Sequence, residues 1–398
     1  MKILMFGWEF PPYASGGLGT ACKGLVKGLA NKGHDIIFVA PRAPKSRRQN
    51  VKLISAMDRV TFKEIPGLIT PYMTEEEYRE ELAATRDSPR IYGKNLFHEV
   101  HLFSERAKRI AMKEDFDVIH VHDWLTFQAG IKVKEMSKKP LVAHVHATEF
   151  DRTGGNGVNE YVYQLEKEGL SKADRIITVS NYTKNMVVNN YGIDPAKIDV
   201  VHNAVEFPGT AFKAHSCSKE KTVLFLGRIT LQKGPDYFIY TARRVLDVYP
   251  DARFIVVGSG DMESFIINKA AELGIADKVL FAGFLQGADV DRAYQIADLY
   301  VMPSVSEPFG ITPLEALRNN VPVIISKQSG VSEVLENALK VDFWDIDEMA
   351  NKIVNVLHYG ELRDELRDRG SSEVKKFNWD EPAGKCVDVY KKILGGFA

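Results

Sequence analysis

The 398-residue sequence predicts an α/β protein built from two doubly wound, Rossmann-like domains. Short, continuous apolar runs such as residues 3–6 and 223–226 recur along both halves. Continuous rather than alternating runs are typical of parallel strands that helices cover on both faces. In each half the first two predicted strands begin about 30 to 35 residues apart, which is the length of one right-handed strand–helix–strand crossover.

The first half opens with a predicted strand at residues 3–6, which a glycine-rich loop at residues 16–19 follows. An amphipathic helix is predicted at about 20–31, and Gly33 fits the position just past a helix C-terminus. Further strands of this half are predicted at residues 36–40, 118–121, 141–144, 175–179 and 198–201.

The second half repeats the pattern with a strand at residues 223–226, a helix at 237–249 and a strand at 254–258. Its further strands are predicted at residues 279–282, 299–302 and 321–325. Residues 206–219 show no period and contain Pro, Gly and Ser, so they are predicted to be the linker. The predicted domains are therefore residues 1–210 and 211–379.

Residues 42–98 interrupt the first-half pattern with a polar loop and a charged helix at 73–84. One interpretation is a solvated excursion, in which the acidic side chains favour the helix N-terminus. The other interpretation is a flap that binds an acceptor.

Composition excludes several classes of protein. Lys and Arg total 52 against 53 Asp and Glu, a formal charge of −1, so a broad basic surface for nucleic acid is not expected. No apolar run approaches the roughly 18 residues of a membrane-spanning helix. Cys22, Cys217 and Cys386 lack metal-ligand spacing and predict neither a disulfide framework nor a zinc site. We expect a cytoplasmic protein without a secretory signal.

Polar residues after the second-half strands are candidates for phosphate chemistry. Arg228 and Lys233 share the loop after the strand at 223–226. Gly310, Ile311 and Thr312 lie close to a helix that Pro313 is predicted to start, and a helix N-terminus offers free N–H groups to a phosphate.

Two carboxylates flank this predicted phosphate site, because Glu307 comes before the turn and Glu315 follows it on the helix. A carboxylate there can accept hydrogen bonds from both hydroxyls of a ribose. Arg228 and Lys233 could neutralise a departing diphosphate. Taken singly, Glu315 is also explained as an acid near a helix start, and the two cations as surface residues.

In the first half, Asp123 follows one predicted strand and His146 follows the next. A single histidine at a strand end is more often a structural hydrogen-bonding residue. Two neighbouring polar strand ends beside a glycine-rich loop favour a functional site.

At these residues the chain resembles the retaining GT-B glycosyltransferases, in particular the glycogen and starch synthase branch. The resemblance covers essentially the whole chain. The residues that carry it are Gly16-Gly17-Leu18, His122-Asp123-Trp124, His146 with Thr148-Glu149, Arg228 with Lys233-Gly234, and an E-x7-E element from Glu307 to Glu315.

The resemblance implies a ligand cleft between the two domains and a role for each second-half residue. Arg228 and Lys233 would bind the donor diphosphate, and Glu315 the ribose. The amides around residues 310–312 would bind the distal phosphate, and Glu307 would contact the donor sugar.

For the first half, the resemblance implies that Gly16 and Gly17 bind substrate, with Gly17 approaching the phosphate. His146 would supply a backbone carbonyl or its side chain to the sugar. Glu9 and Asp123 would shape the sugar pocket. The last helix, at about 380–398, would pack back onto the first domain.

The chain departs from the synthase pattern at two places. Ser15 stands where the synthases usually have Lys, and Ala204 follows Asn203 where Gly is common. These departures leave the donor base open among UDP, ADP and GDP, and they leave the acceptor open.

The sequence is therefore interpreted as a metal-independent, retaining transferase of a hexose, with glucose expected, from a nucleotide diphosphate sugar to a carbohydrate acceptor. It is expected to need no cofactor besides this co-substrate. An alternative within the fold is synthesis of a surface polysaccharide or a small glycoside.

Three other kinds of protein fit the sequence less well. A dinucleotide-dependent oxidoreductase lacks support because Gly258-Ser259-Gly260 has no third glycine at fingerprint spacing. A non-enzymatic sugar-binding protein is disfavoured by the paired cations. A metal-dependent transferase would need one of three Asp-x-Asp motifs, at residues 115–117, 289–291 and 345–347; the first precedes a strand and the others are interpreted as helix caps.

Overall fold

The structure, a computed structural model, describes residues 1–11, 16–41, 60–64, 96–155, 157–207 and 220–395. This part of the chain divides into two units. The first comprises residues 1–149, 158–204 and 379 onward; the second comprises residues 150–157 and 205–378. The helix at Asp380–Ile393 thus belongs to the first unit, while most of the predicted linker and the charged helix at 73–84 lie outside the described residues.

Among the described residues, the first unit contains a parallel sheet of seven strands in the order β3-β2-β1-β4-β5-β6-β7. The strands are β1 (Lys2–Phe6), β2 (Asp35–Ala40), β3 (Val60–Glu64), β4 (Val118–His122), β5 (Leu141–Val145), β6 (Arg175–Thr178) and β7 (Ile198–Val200). Apart from β3, which was not predicted, each corresponds to a predicted strand with ends shifted by one or two residues. The helices are Gly17–Asn31, Leu96–Ala111, Trp124–Ser137, Glu149–Arg152, Glu160–Lys172, Asn181–Tyr191 and Asp380–Ile393.

The position of β1 in this sheet locates its ligand-binding edge. β1 pairs with β2 on one side and with β4 on the other. The strands before β4 are therefore added on one side of β1, and those from β4 onward are added on the other side. In doubly wound sheets, ligands bind beyond the carboxyl ends of the strands at this switch point. Glu9, after β1, and Asp123, after β4, therefore follow the two strands that define it.

The described residues of the second unit form six parallel strands in the order β10-β9-β8-β11-β12-β13. They are β8 (Lys221–Leu226), β9 (Ala252–Val257), β10 (Val279–Gly283), β11 (Leu299–Met302), β12 (Val323–Ser326) and β13 (Leu339–Val341). The helices are Pro235–Val248, Glu263–Glu272, Ala288–Gln295, Ile311–Arg318, Ile346–His358 and Gly360–Glu373. Here β8 and β11 define the switch point, so Arg228 and Glu307 follow the corresponding pair of strands.

Three predicted helix starts were wrong by two or three residues, and the helix predicted at 237–249 begins at Pro235. The helix predicted at 20–31 begins at Gly17, because Gly17 to Gly19 continue the helix rather than the loop. The helix predicted to start at Pro313 begins at Ile311. Pro313 is tolerated in the first turn because the N–H groups of that turn have no carbonyl partner within the helix, so the missing N–H of proline costs no hydrogen bond.

Two of the three cysteines lie in the described residues, and both Cys22 and Cys386 are buried free thiols. Burial raises the pKa of each thiol.

In the ranges that the structure describes, no helix is long and apolar enough to cross a membrane.

Candidate active site

In the second unit the structure brings Lys233 and Glu307 together. Lys233 ends a short 3-10 turn, Leu231–Lys233, after β8, and its Nζ donates to Glu307 Oε2 at 2.5 Å. Ser304 Oγ donates to the same carboxylate oxygen at 3.3 Å. The Glu307 side chain is only 8% exposed, against 21% for Lys233. The carboxylate therefore balances a cation that a bound phosphate would otherwise engage.

Gln232 joins this pair to Arg228. Arg228 Nη2 donates to Gln232 Oε1 at 2.9 Å. The backbone carbonyl of Gln232 accepts from the N–H of Val305 at 2.9 Å, which links the loop after β8 to the loop after β11. Both predicted diphosphate cations thus belong to one hydrogen-bonded pair of loops.

The turn that leads into the helix Ile311–Arg318 depends on Gly310. Gly310 has a φ of 102°, a backbone conformation that residues other than glycine rarely adopt. A Cβ there would also lie 3.2 Å from the Glu307 side chain. Tyr300 fixes the far side of the turn, because its hydroxyl donates to Thr312 Oγ1 at 2.8 Å. The amides of Ile311 and Thr312 lie in the first turn, where N–H groups have no partner within the helix.

Glu315 lies one turn further along this helix. Tyr294, which is fully buried, donates from its hydroxyl to Glu315 Oε2 and contacts the carbonyl of Thr312, both at 3.2 Å. Burial raises the pKa of Glu315, and the nearby Arg318 opposes that rise. Tyr294 was not predicted from the sequence, because it lies on the helix Ala288–Gln295, outside any recognisable motif.

The Gly258-Ser259-Gly260 segment has a packing explanation. A Cβ on Gly258 would lie 1.8 Å from the carbonyl oxygen of Gly227, and its φ is 139°. The N–H of Ile229 donates to the carbonyl of Ser259 at 2.9 Å. The first glycine therefore lets the loops after β8 and β9 approach each other.

In the first unit, Asp123 organises the loop that contains His146. Asp123 Oδ1 accepts from the N–H of His146 at 2.7 Å and from that of Ala147 at 3.3 Å. Asp123 itself has a φ of 58°, which is uncommon outside glycine. The structure thus brings Asp123 and His146 together through the backbone.

Burial favours the neutral form of the His146 side chain. It is 9% exposed, its Nε2 lies 2.9 Å from Nδ1 of His122, and burial lowers its pKa to about 3. A neutral imidazole can hydrogen-bond a sugar hydroxyl, but a pKa so low makes it a poor proton acceptor near neutral pH.

Glu9 and the two predicted glycines lie at the start of the helix Gly17–Asn31. Glu9, 2% exposed, accepts from the N–H of Gly19 at 3.3 Å, as expected for a carboxylate at a helix N-terminus. Gly16 is the residue before the helix. Among the described residues, a Cβ built on Gly17 would meet no atom within 4 Å outside its chain neighbours and its own helix backbone. The predicted contact between these glycines and a phosphate stays a prediction.

The Asp-x-Asp motifs have structural partners. Asp117 Oδ2 accepts from the N–H of Lys2 at 2.8 Å, and Asp345 caps the helix Ile346–His358. The interpretation of residues 289–291 as a cap was wrong, since Gly287 is the N-cap and both aspartates lie in the first turn. Asp291 pairs there with Arg318 at 2.7 Å.

Comparison with known proteins identifies the family. Two family models match successive parts of the chain: "Glycosyltransferase Family 4" at residues 15–207 and "Glycosyl transferases group 1" at residues 210–373. The chain is 30% identical, over 98% of both sequences, to an uncharacterized glycosyltransferase of Methanocaldococcus jannaschii. The chain belongs to the glycosyltransferases. It is also 27% identical to a glycogen synthase of Mycobacterium tuberculosis, over 85% of this chain and 80% of the synthase.

The fold of this glycosyltransferase is shared with solved structures. Sucrose-phosphate synthase of Thermosynechococcus elongatus superposes with a TM-score of 0.77 at 20% identity, covering the whole of both chains. At this identity the likeness shows the fold alone. It confirms the prediction of a GT-B fold with two Rossmann-like domains.

Proposed function

We propose that this glycosyltransferase moves a hexose, with glucose as the first candidate, from a nucleotide diphosphate sugar to a carbohydrate hydroxyl, retaining the anomeric configuration and using no metal ion at the diphosphate. The observation that carries the proposal is the pairing of Lys233 with the buried Glu307 beside the Gly310 turn, all within one unit.

Leaving-group stabilisation is the first part of the proposal. Negative charge grows on the diphosphate as the glycosidic bond breaks, and preorganised cations and amides stabilise such charge most effectively. Arg228, Lys233 and the first-turn amides after Gly310 supply these groups. Lys233 would exchange its contact with Glu307 for the phosphate, which frees Glu307 to accept hydrogen bonds from sugar hydroxyls.

Nucleoside binding is the second part. Glu315 would accept hydrogen bonds from the two ribose hydroxyls, as acidic residues do in dinucleotide sites. The Tyr294 hydroxyl supports this role, because it holds one carboxylate oxygen and leaves the other available.

The proposed chemical step is attack by the acceptor on the same face from which the diphosphate leaves. The bond from the anomeric carbon to the diphosphate oxygen breaks, the bond to the acceptor oxygen forms, and the departing phosphate oxygen takes the acceptor proton. This route needs no enzymic base, which agrees with the low pKa of His146. We propose that His146, with Glu9 and Asp123, holds the sugar.

The relationship to a glycogen synthase supports glucose as the sugar and a glucan as the acceptor. Transfer to a surface polysaccharide or a small glycoside is the alternative, since a carbohydrate hydroxyl attacks in each case.

A donor and product experiment tests the proposal. UDP-, ADP- and GDP-hexoses are titrated in a melting assay, because a ligand that binds the folded state raises the melting temperature with concentration. The preferred donor is then used in turnover with carbohydrate acceptors, and the anomeric configuration of the product is read by NMR. An inverted product, or no turnover with any donor, would overturn the proposal.

A metal control accompanies this assay. Turnover is measured after EDTA treatment and after addition of Mg²⁺ or Mn²⁺, the ions that usually bridge phosphates. We expect neither ion to raise the rate, and a requirement for either would contradict the metal-free diphosphate site.

A further inference from the structure

Four histidines form a buried cluster in the first unit. His120 and His122 lie on β4, and His144 and His146 lie on and just after the neighbouring β5. His122 is the register partner of His144, and alternate residues of a strand point to the same face. All four rings therefore share one face, with exposures of 0%, 0%, 2% and 9% in chain order.

The hydrogen bonds of this cluster leave two nitrogens over. His120 Nδ1 contacts the Tyr390 hydroxyl at 2.5 Å, and His120 Nε2 contacts His144 Nδ1 at 3.2 Å. His122 Nδ1 contacts His146 Nε2. Nε2 of His122 and Nε2 of His144 are both buried without a hydrogen-bond partner among the described residues. Buried polar atoms of this kind are rare, because each one loses the hydrogen bonds that water would give it.

The tautomers show what these two nitrogens can bind. Each neutral imidazole has one N–H and one lone pair. If His144 Nδ1–H donates to His120 Nε2, and His120 Nδ1–H donates to the Tyr390 oxygen, both imidazole protons of this hydrogen-bonded chain have an acceptor. His144 Nε2 is then a bare lone pair, which a cation would satisfy.

The same arrangement matches the known form of a metal site. Ring nitrogens of His120, His122 and His144 all lie within 4.8 Å of one another. Three imidazoles and an open fourth position are a recognised zinc arrangement, and metal-bound imidazoles usually make a second hydrogen bond through their other nitrogen. In this cluster the contacts of His120 with Tyr390 and of His122 with His146 would be such second bonds. His120 would ligate through Nε2, which gives up its contact with His144 Nδ1.

We propose that His120, His122 and His144 bind a divalent transition-metal ion, with Zn²⁺ as the best match to an all-imidazole set. Zinc–nitrogen distances of about 2.0–2.1 Å require the three rings to rotate toward the ion, because the rings of His120 and His122 are stacked with their centroids 4.5 Å apart. Burial keeps the imidazoles neutral, which is the form that binds metals. Asp123, 5% exposed and adjacent to His122, contributes negative charge at the edge of the cluster.

No metal-binding residues were predicted from the sequence, and this site departs from that prediction. It consists of first-unit residues alone, whereas the proposed diphosphate residues belong to the second unit. The ion is proposed to hold β4, β5 and the ring of His122 in place rather than to take part in transfer.

The test measures metal content directly on the untagged full chain. The protein is incubated with Zn²⁺, passed through a desalting column and analysed by plasma mass spectrometry. We expect about one Zn²⁺ per chain in the wild type and in the control His101→Gln, whose side chain is exposed on a first-unit helix. We expect a loss of at least tenfold in His122→Gln and in His144→Gln. A wild type without bound zinc, or variants that keep it, would overturn the proposal.

A second measurement applies if the variants fold poorly. Co²⁺ replaces Zn²⁺ in the wild type, and the visible absorption spectrum reports the ligand geometry. An intense four- or five-coordinate spectrum supports the site, whereas the weak spectrum of six-coordinate Co²⁺ would overturn it. Transferase turnover is measured on the same samples, so failure of the metal proposal and failure of the proposed function are distinguishable.

Discussion

The two units share one strand order but present different chemistry after their central strands. In the first unit, the residues on and after β4 and β5 are neutral imidazoles, with buried Asp123 held by backbone amides. In the second unit, the residues after β8 and β11 are charged, with Lys233 against Glu307 and Arg228 against Gln232. The same switch point can therefore carry either kind of site. The difference agrees with the proposed roles, in which second-unit residues bind the anionic nucleotide, and first-unit residues, together with Glu307, hold the uncharged sugar.

The largest expected effect is on the charged side of this comparison. Lys233→Ala and Arg228→Ala should each lower kcat by about 100-fold or more, since each removes about 3 kcal/mol of leaving-group stabilisation. Initial rates at saturating donor measure the effect. Lys269→Ala is the matched control, because Lys269 pairs with an exposed glutamate away from these residues.

Lys233→Ala should also change the stability of the folded protein. It leaves the buried Glu307 without its counter-ion and should lower the melting temperature. Adding Glu307→Gln to Lys233→Ala should restore the melting temperature but not kcat. Near-normal kcat in a folded single variant would refute the phosphate assignment.

The second prediction separates the two carboxylates of the charged unit. Glu315→Gln should weaken binding of the free nucleoside diphosphate by about 1.5–3 kcal/mol, because the ribose hydroxyls lose a charged acceptor. Glu307→Gln should leave that affinity nearly intact and depress turnover, because its proposed contact is with the transferring sugar. Calorimetry with initial rates measures both, and equal loss of affinity in the two variants would show that the roles are not divided this way.

The third prediction concerns the neutral unit. Burial lowers the pKa of all four clustered histidines, to about 3 for His120 and His146, against about 6.5 in the unfolded chain. Between these pKa values the unfolded state binds more protons than the folded state. The free energy of unfolding therefore keeps its full value above pH 6.5 and decreases as the pH falls. In metal-free protein the loss should approach about 1.4 kcal/mol per pH unit for each of His120 and His146, and His122 and His144 should add to it in the same direction.

Tryptophan fluorescence can report this loss for the first unit alone. Trp8, Trp124 and Trp379 belong to it, and Trp344→Phe removes the one tryptophan of the second unit. Denaturant unfolding of that variant at pH 7, 6 and 5 gives the slope of the unfolding free energy against pH. The further substitution His144→Gln should reduce this slope, because one buried histidine is removed. A pH-independent free energy of unfolding would contradict neutral burial of the cluster.

The smallest expected effect is on the support of Glu315. Tyr294→Phe removes the hydroxyl that donates to the carboxylate and should weaken nucleoside diphosphate binding by about 1 kcal/mol, or roughly fivefold. The donor KM should rise with little change in kcat. Tyr359→Phe, at an exposed position, serves as the control. An unchanged affinity would mean that Tyr294 does not position Glu315.

The local pattern of apolar residues predicted most of the strands, because buried parallel strands consist of continuous apolar runs. Residues 299–302 were predicted with the observed bounds. The strands Val60–Glu64 and Leu339–Val341 were missed, and both lie at an edge of their sheet, where polar residues such as Lys63 and Lys340 interrupt the apolar run. The helix starting at Gly17 was misplaced because glycine was interpreted as a loop signal, and the helix starting at Ile311 was misplaced because Pro313 was interpreted as the first helical residue. Tertiary packing can override such local preferences.

The sequence by itself determined that this is a two-domain α/β protein of the glycosyltransferase type, and it named Arg228, Lys233, Glu307 and Glu315 as a group, because motif spacing and strand-end position are properties of the chain. Only the tertiary structure decided which of these residues touch. The bond from Lys233 to Glu307 spans 74 residues, that from Tyr294 to Glu315 spans 21, and that from Tyr390 to His120 spans 270. The alternating histidines of β4 and β5 were visible in the sequence, but their meeting depended on the register between the strands. Side chains so far apart along the chain are brought together only when the apolar runs between them are buried in a common core.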